Sequence, residues 1–278
     1  MEKDEATTRT AFVTYERQGY IGSIILNRPD KRIALSLSVW MDLEQAVEAA
    51  RADEECRVIV VKGNGKSFCA GLDLSPDNDI LPYITAPATA SQKMAFFNLL
   101  KRIQEVHTKL ERLSKPTVAA IHGHCLGAGL ELALCCDIRL CSSDTVFALP
   151  EAKLAIITDV GGLQRLTKVV GSGHAREIAF RGYRFDADYA RSINLVNRVY
   201  ADQETLFSQT QEIATEIASN PPLAVQGAKD VLLFCDRLFV AQSLEYNAAR
   251  SAMIMPSDDL YEAFAGHMQK REGQYKGS

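Results

Sequence analysis

The chain has little that would draw it to a charged polymer or into a bilayer. Lysine plus arginine number 31 against 35 acids, a formal net charge of −4, so there is no basic excess to hold nucleic acid and no polybasic patch for an anionic membrane. No stretch reaches the roughly 18 uninterrupted apolar residues of a membrane-spanning helix. The seven cysteines are an odd count and none are spaced as CxxC, which fits buried reduced thiols better than disulfides. The first ten residues, MEKDEATTRT, carry acids and no apolar block, and the last three, KGS, are not the tripeptide SKL. Neither a leader nor a peroxisomal address is expected from them. Cytosolic placement is the default, with a mitochondrial or peroxisomal form as the alternative.

Several catalytic signatures are missing as well. No GxSxG elbow and no GxGxxG after a strand occurs, against a serine hydrolase of that type and against a dinucleotide fold. Residues 63–67 end like a phosphate-binding loop, but the first glycine it requires would fall at Val60. His122 and His124 have no third ligand at a matching spacing, so no metal is expected.

What is present is an alternation of strand and helix patterns over a 47% hydrophobic chain. Residues 11–27 alternate around Gly22 as a hairpin. Residues 37–51 space Leu37, Trp40, Leu43, Val47 and Ala50 as a helix, and 57–62 (RVIVVK) is a short buried strand. Residues 75–92 have no period and read as a mobile surface segment that could cover a ligand. A helix is expected over 96–113, strands over 117–121 and 137–141, and a helix over 130–136 entered through Gly123, Gly127 and Gly129. From 202 onward the pattern is helical, over 204–219, 222–235, 238–253 and 258–271. The rhythm is that of an α/β fold.

Glu131, Glu151 and Asp159 stand in this apolar, glycine-punctuated middle. Desolvation penalises their charged forms and raises their pKa toward the range useful for proton transfer. Each has a plainer reading: Glu131 as a partly exposed helix residue, Glu151 as a first-turn helix acid, Asp159 as a helix N-cap or a turn aspartate ahead of residues 160–162. Leu72 and Ala128 each follow a glycine turn, where free backbone N–H groups could converge on a carbonyl oxygen; spacing alone fits as well the plainer reading that these glycines serve only tight turns or close helix packing.

Residues 27–35 (NRPDKRIAL), 68–74 (FCAGLDL), 119–131, 136–139 (CDIR) and 163–166 (LQRL), in this order, resemble the crotonase (enoyl-CoA hydratase/isomerase) superfamily. The resemblance spans about residues 14 to 271. It implies a ββα spiral over 1–200 and a helical oligomerisation region over 201–278, in a homotrimer or a hexamer. It implies a fatty acyl-CoA substrate and no cofactor beyond the coenzyme A that enters with it. Leu72 and Ala128 then supply the oxyanion hole, and Arg28, Lys31, Ala70 and Lys270 contact CoA. Two positions depart from the family pattern: Ala128 replaces a usual glycine, and Ile33 stands where asparagine is common.

Within the superfamily, Glu131 and Glu151 match the water-activating glutamates of 2-enoyl-CoA hydratases. Asp159, in 157–161 (ITDVG), and 257–260 (SDDL) resemble Δ3,5-Δ2,4-dienoyl-CoA isomerases, although those carry aspartate where Glu131 stands. Moving a conjugated diene takes a proton from C2 and places one on C6, a task suited to two separated acids. The isomerase is the expected activity. A hydratase using Glu131 and Glu151, a non-catalytic acyl-CoA-binding relative and other enolate chemistry are the alternatives.

Overall fold

A computed structural model describes residues 11–86, 89–235 and 257–277. A six-stranded sheet runs in the order β1 (Val13–Gln18), β2 (Ile21–Leu26), β3 (Val58–Gly63), β4 (Thr117–Ile121), β6 (Ile138–Ser142), β8 (Arg198–Tyr200). Only β1 is antiparallel to its neighbour; every other pair is parallel. A parallel sheet must be covered on both faces, and its strands divide their side chains accordingly. Ile59 and Val61 of β3 and Ala119 and Ile121 of β4 face one core; Val58, Val60, Val118 and Ala120 face the other.

The larger core lies under α1 (Leu37–Ala52), α3 (Ala90–Glu111), α4 (Ala128–Ala133), α5 (Gly162–Arg181) and α6 (Ala187–Ser192). The smaller is closed by α7 (Gln203–Ala218) through Leu206, Ala214 and Ala218. Thus α7, the first helix past the expected boundary at residue 200, covers the second face of the sheet. α8 (Pro222–Cys235) and α9 (Asp258–Gln269) follow. The helix expected over 238–253 lies outside the described residues.

Two further strands, β5 (His124–Leu126) and β7 (Val146–Ala148), pair in parallel as a small second sheet. Cys69 bridges to Cys125 alongside them. Backbone bonds from Cys69 N to His124 O (2.9 Å), Leu126 N to Cys69 O (3.0 Å) and Gly127 N to Ala148 O (2.9 Å) hold the three segments in register. Their continuations, 70–72, 127–131 and 149–151, therefore emerge side by side. That alignment builds the site.

Several expectations change. The hairpin turns at Gly19–Tyr20, where Gln18 pairs with Ile21 and Gly19 has φ 58°; Gly22 lies inside β2, where its missing Cβ makes room for the Tyr15 ring. α3 begins at Ala90, ahead of 96, because Thr89 and Gln92 form a reciprocal capping box. The segment read as structureless contains α2 (Leu81–Thr85) and buries Asn78 and Ile80. All seven cysteines are free thiols, six of them buried.

Lys115 illustrates how helix ends are satisfied at depth. Its ammonium, on a residue only 5% exposed, donates to Ala50 O (2.6 Å), Arg51 O (3.1 Å) and Asp53 O (2.5 Å) at the end of α1. Ala50 and Arg51 lie in the last turn, whose carbonyls lack intrahelical donors at the negative end of the dipole, and Asp53 O, just past the helix, also accepts from Cys56 N. Replacing Lys115 by Met should lower the unfolding free energy by about 3 kcal/mol, since it strands buried acceptors. The exposed Lys93→Met should change it by less than about 0.5 kcal/mol, and urea titration of the two variants checks the contrast.

Candidate active site

The three aligned segments wall one cavity of about 820 Å³, counted to its open mouth. Glu131, Glu151 and Asp159 all line it, with Ala70, Leu72 and Ala128. Apolar residues complete the wall, including Leu100 and Ile103 of α3 and Trp40 of α1.

Close backbone approach is what brings these groups together. At Gly71 (φ +87°) a Cβ would meet Leu126 O at 2.7 Å and stand 3.7 Å from Ala128 N, so the two glycine turns face each other. Neither Leu72 N nor Ala128 N donates to another group among the described residues. Ala128 opens α4, where N–H groups lack intrahelical acceptors. Gly127 (φ +50°) would place a Cβ 2.6 Å from Glu151 Oε1. Any side chain there would push the carboxylate away.

The three acids are held differently. Glu131, 2% exposed, accepts from Val160 N (3.1 Å) and Gly162 N (2.6 Å), both on Oε2. Burial nonetheless outweighs these donors and pushes its carboxyl up to about 8, helped by the charges of Glu151 and Asp159. Glu151 begins a 3₁₀ turn (Glu151–Leu154) and accepts from Thr158 Oγ1 at 3.3 Å; burial raises its pKa too. Asp159 is also raised by burial, and its carboxylate accepts from no other residue among those described. It does not cap α5, whose N-cap is Gly161. The plain reading of Glu131 therefore fails; Asp159 is no cap but does stand in the turn before α5, and the turn reading of Asp159 and the first-turn reading of Glu151 hold alongside their places in the cavity.

The expected CoA contacts fare unevenly. Ala70 lines the cavity and Lys31 is exposed beside it in the turn Pro29–Lys31. Arg28 is turned inward: its Nη1 donates to Ala34 O (2.8 Å) and to Asp73 (2.5 Å), which ties the 28–35 loop to the strand end carrying Leu72. Lys270 follows α9, whose tail is held by Arg57 through Tyr275 O (2.7 Å) at the start of β3, the end remote from the cavity. It does not line the cavity of its own chain.

Sequence reasoning missed Gln104 and His107, whose side chains meet the peptide groups of Asp159 and Val160. The signal was a histidine on the apolar face of α3, beside Ile103, Val106 and Leu110.

The family model described as enoyl-CoA hydratase/isomerase matches residues 16–278. The chain belongs to this family. Among relatives, this enoyl-CoA hydratase/isomerase is 38% identical to the mitochondrial Delta(3,5)-Delta(2,4)-dienoyl-CoA isomerase of Dictyostelium discoideum, over 92% of this chain and 88% of that one. It is 31% identical to the short-chain-enoyl-CoA hydratase of Clostridium acetobutylicum, over 94% and 95%. The crystal structure of an enoyl-CoA hydratase from Bacillus anthracis superposes with a TM-score of 0.87 at 30% identity, covering 96% of this chain and all of the other. The crotonase fold and an enzyme of the hydratase/isomerase type follow. No helix among the described residues is long and apolar enough to cross a membrane.

Glu131 makes stability depend on pH. Its folded pKa lies above its unfolded one, so the folded state binds the extra proton between about 4.5 and 8, and stability falls as pH rises through that window. Glu131→Gln should remove up to about 5 kcal/mol of that decline. Urea unfolding at the two ends of the window, in both proteins, measures it.

Proposed function

We propose that this enzyme converts a 3,5-dienoyl-CoA to the 2,4-dienoyl-CoA. The observation that carries the reading is Asp159: an acid whose carboxylate has no hydrogen-bond partner on another residue among those described, lining the same apolar cavity as Glu151. Hydration needs two acids at one water beside C2 and C3. A third acid in that cavity would be desolvated to no purpose.

In this reading the thioester oxygen accepts from Leu72 N–H and Ala128 N–H. Glu151 takes the C2 proton, and the electron pair of that bond enters a dienolate held by the two donors. Protonated Asp159 delivers its proton to C6 as the carbonyl re-forms, leaving double bonds at C2 and C4. Exchange with solvent then resets both acids. Burial raises the pKa of both acids, which favours proton exchange at each. Glu131, its Oε2 occupied by two N–H groups, acts on the turn that carries Asp159.

Coenzyme A is placed at the rim near Lys31 and Ala70, with Arg28 fixing that rim and no other cofactor involved. The exposed apolar side chains Leu232, Tyr261, Phe264 and Met268 support self-association through α8 and α9, as a trimer or a pair of trimers that could bring Lys270 to a neighbour's CoA.

Asp159→Asn should slow the diene shift by about 10²- to 10⁴-fold, the usual worth of a positioned acid, with KM little changed. Absorbance of the conjugated 2,4-dienoyl thioester follows it. An unaltered shift, or hydration of crotonyl-CoA as the sole activity, favours the hydratase reading.

A further inference from the structure

His107 is fully buried, yet its imidazole makes one hydrogen bond, from Nδ1 to Val160 O at 3.1 Å. A carbonyl can only accept, so the proton is on Nδ1, and Nε2 is left as a buried acceptor without a partner among the described residues. Such an orphan is destabilising, because the nitrogen has given up water for nothing in return. A leucine there would avoid that cost and pack equally well against Ile103 and Leu110. One turn earlier on the same helix, Gln104 Nε2 donates to Asp159 O at 2.7 Å.

These bonds grip consecutive peptide groups of one turn. Its other side is held by Glu131, through Val160 N and Gly162 N. The turn passes through Gly161 at φ 109°, a conformation open to glycine, and a glycine backbone does little by itself to fix the neighbouring Asp159. No backbone ladder runs through 157–161 to fix it either. Meanwhile Phe96, Leu100 and Ile103 of the same helix line the cavity. α3 therefore carries both a wall of the cavity and the clamp on the acid.

The geometry points to Gln104 and His107 as positioning residues for proton delivery by Asp159, holding its backbone so that the carboxyl reaches the far end of the dienolate. The inference rests on the proposed isomerase reaction and assigns these residues no part in C2 proton removal, which belongs to Glu151 on a different segment.

That division supplies the test. In heavy water, a 3,5-dienoyl-CoA exchanges its C2 proton whenever Glu151 and the two N–H donors work, whether or not a proton then reaches C6. Mass spectrometry reads the exchange and ultraviolet absorbance reads the shift. In His107→Leu the shift should fall about 10- to 100-fold, the scale of an acid misplaced by about 1 Å, while C2 exchange stays within about threefold. His107→Asn, whose amide N–H can replace the Nδ1 donor, should restore most of the shift. Gln104→Met, at a half-buried site that tolerates change, should show the same split and keeps the test standing if His107→Leu does not fold. Exchange and shift falling together, or neither changing, would overturn the positioning role. A wild-type enzyme that neither exchanges C2 nor shifts the diene would instead overturn the isomerase reading, and this inference with it.

Discussion

The site depends on one carboxylate oxygen. Glu131 Oε2 accepts from Val160 N and Gly162 N, and in doing so joins α4, whose first N–H faces the cavity, to the turn that carries Asp159. An acid this deep would ordinarily be replaced by an apolar residue, because desolvation outweighs what two neutral donors return. Its pKa near 8 measures that imbalance. Mostly neutral at physiological pH, Glu131 can keep its acceptor bonds without adding a full negative charge beside Glu151 and Asp159.

Everything else arranges what Glu131 joins. The small sheet of β5 and β7, with Cys69 alongside, delivers three segments to the same place in register. Glycines at 71 and 127 let backbone and carboxylate come closer than a Cβ would permit. The parallel main sheet, buried on both faces, is the rigid floor beneath them. Backbone N–H groups and acids thus share an apolar space, where electrostatic effects are strongest.

Much of this could be read from the chain. Local signals sufficed where the cause was local: the apolar runs of β3 and β4, the spacing of α1, the glycine turns before Leu72 and Ala128, and acids embedded among apolar neighbours. They failed where a distant partner decided. Arg28 looks like a surface cation until Asp73, far along the chain, is brought to it. The hairpin was centred on Gly22 because a glycine in a strand and a glycine in a turn look alike in sequence; what Gly22 accommodates is the ring of Tyr15. Gln104 and His107 were illegible for the same reason, since their partners are the peptide groups of Asp159 and Val160 on another element. Asp159 itself was legible as chemistry but not as geometry. Only the fold places it across one cavity from Glu151.

The central claim is that the two acids serve a diene rather than a water molecule, and a direct competition of substrates tests it. The purified wild-type enzyme is given a 3,5-dienoyl-CoA and crotonyl-CoA in turn, and kcat/KM is measured for the diene shift and for hydration. The account predicts a kcat/KM for the shift at least about 100-fold above that for hydration, a difference of about 2.7 kcal/mol in transition-state stabilisation. Efficient hydration of crotonyl-CoA with no 2,4-dienoyl product would contradict it.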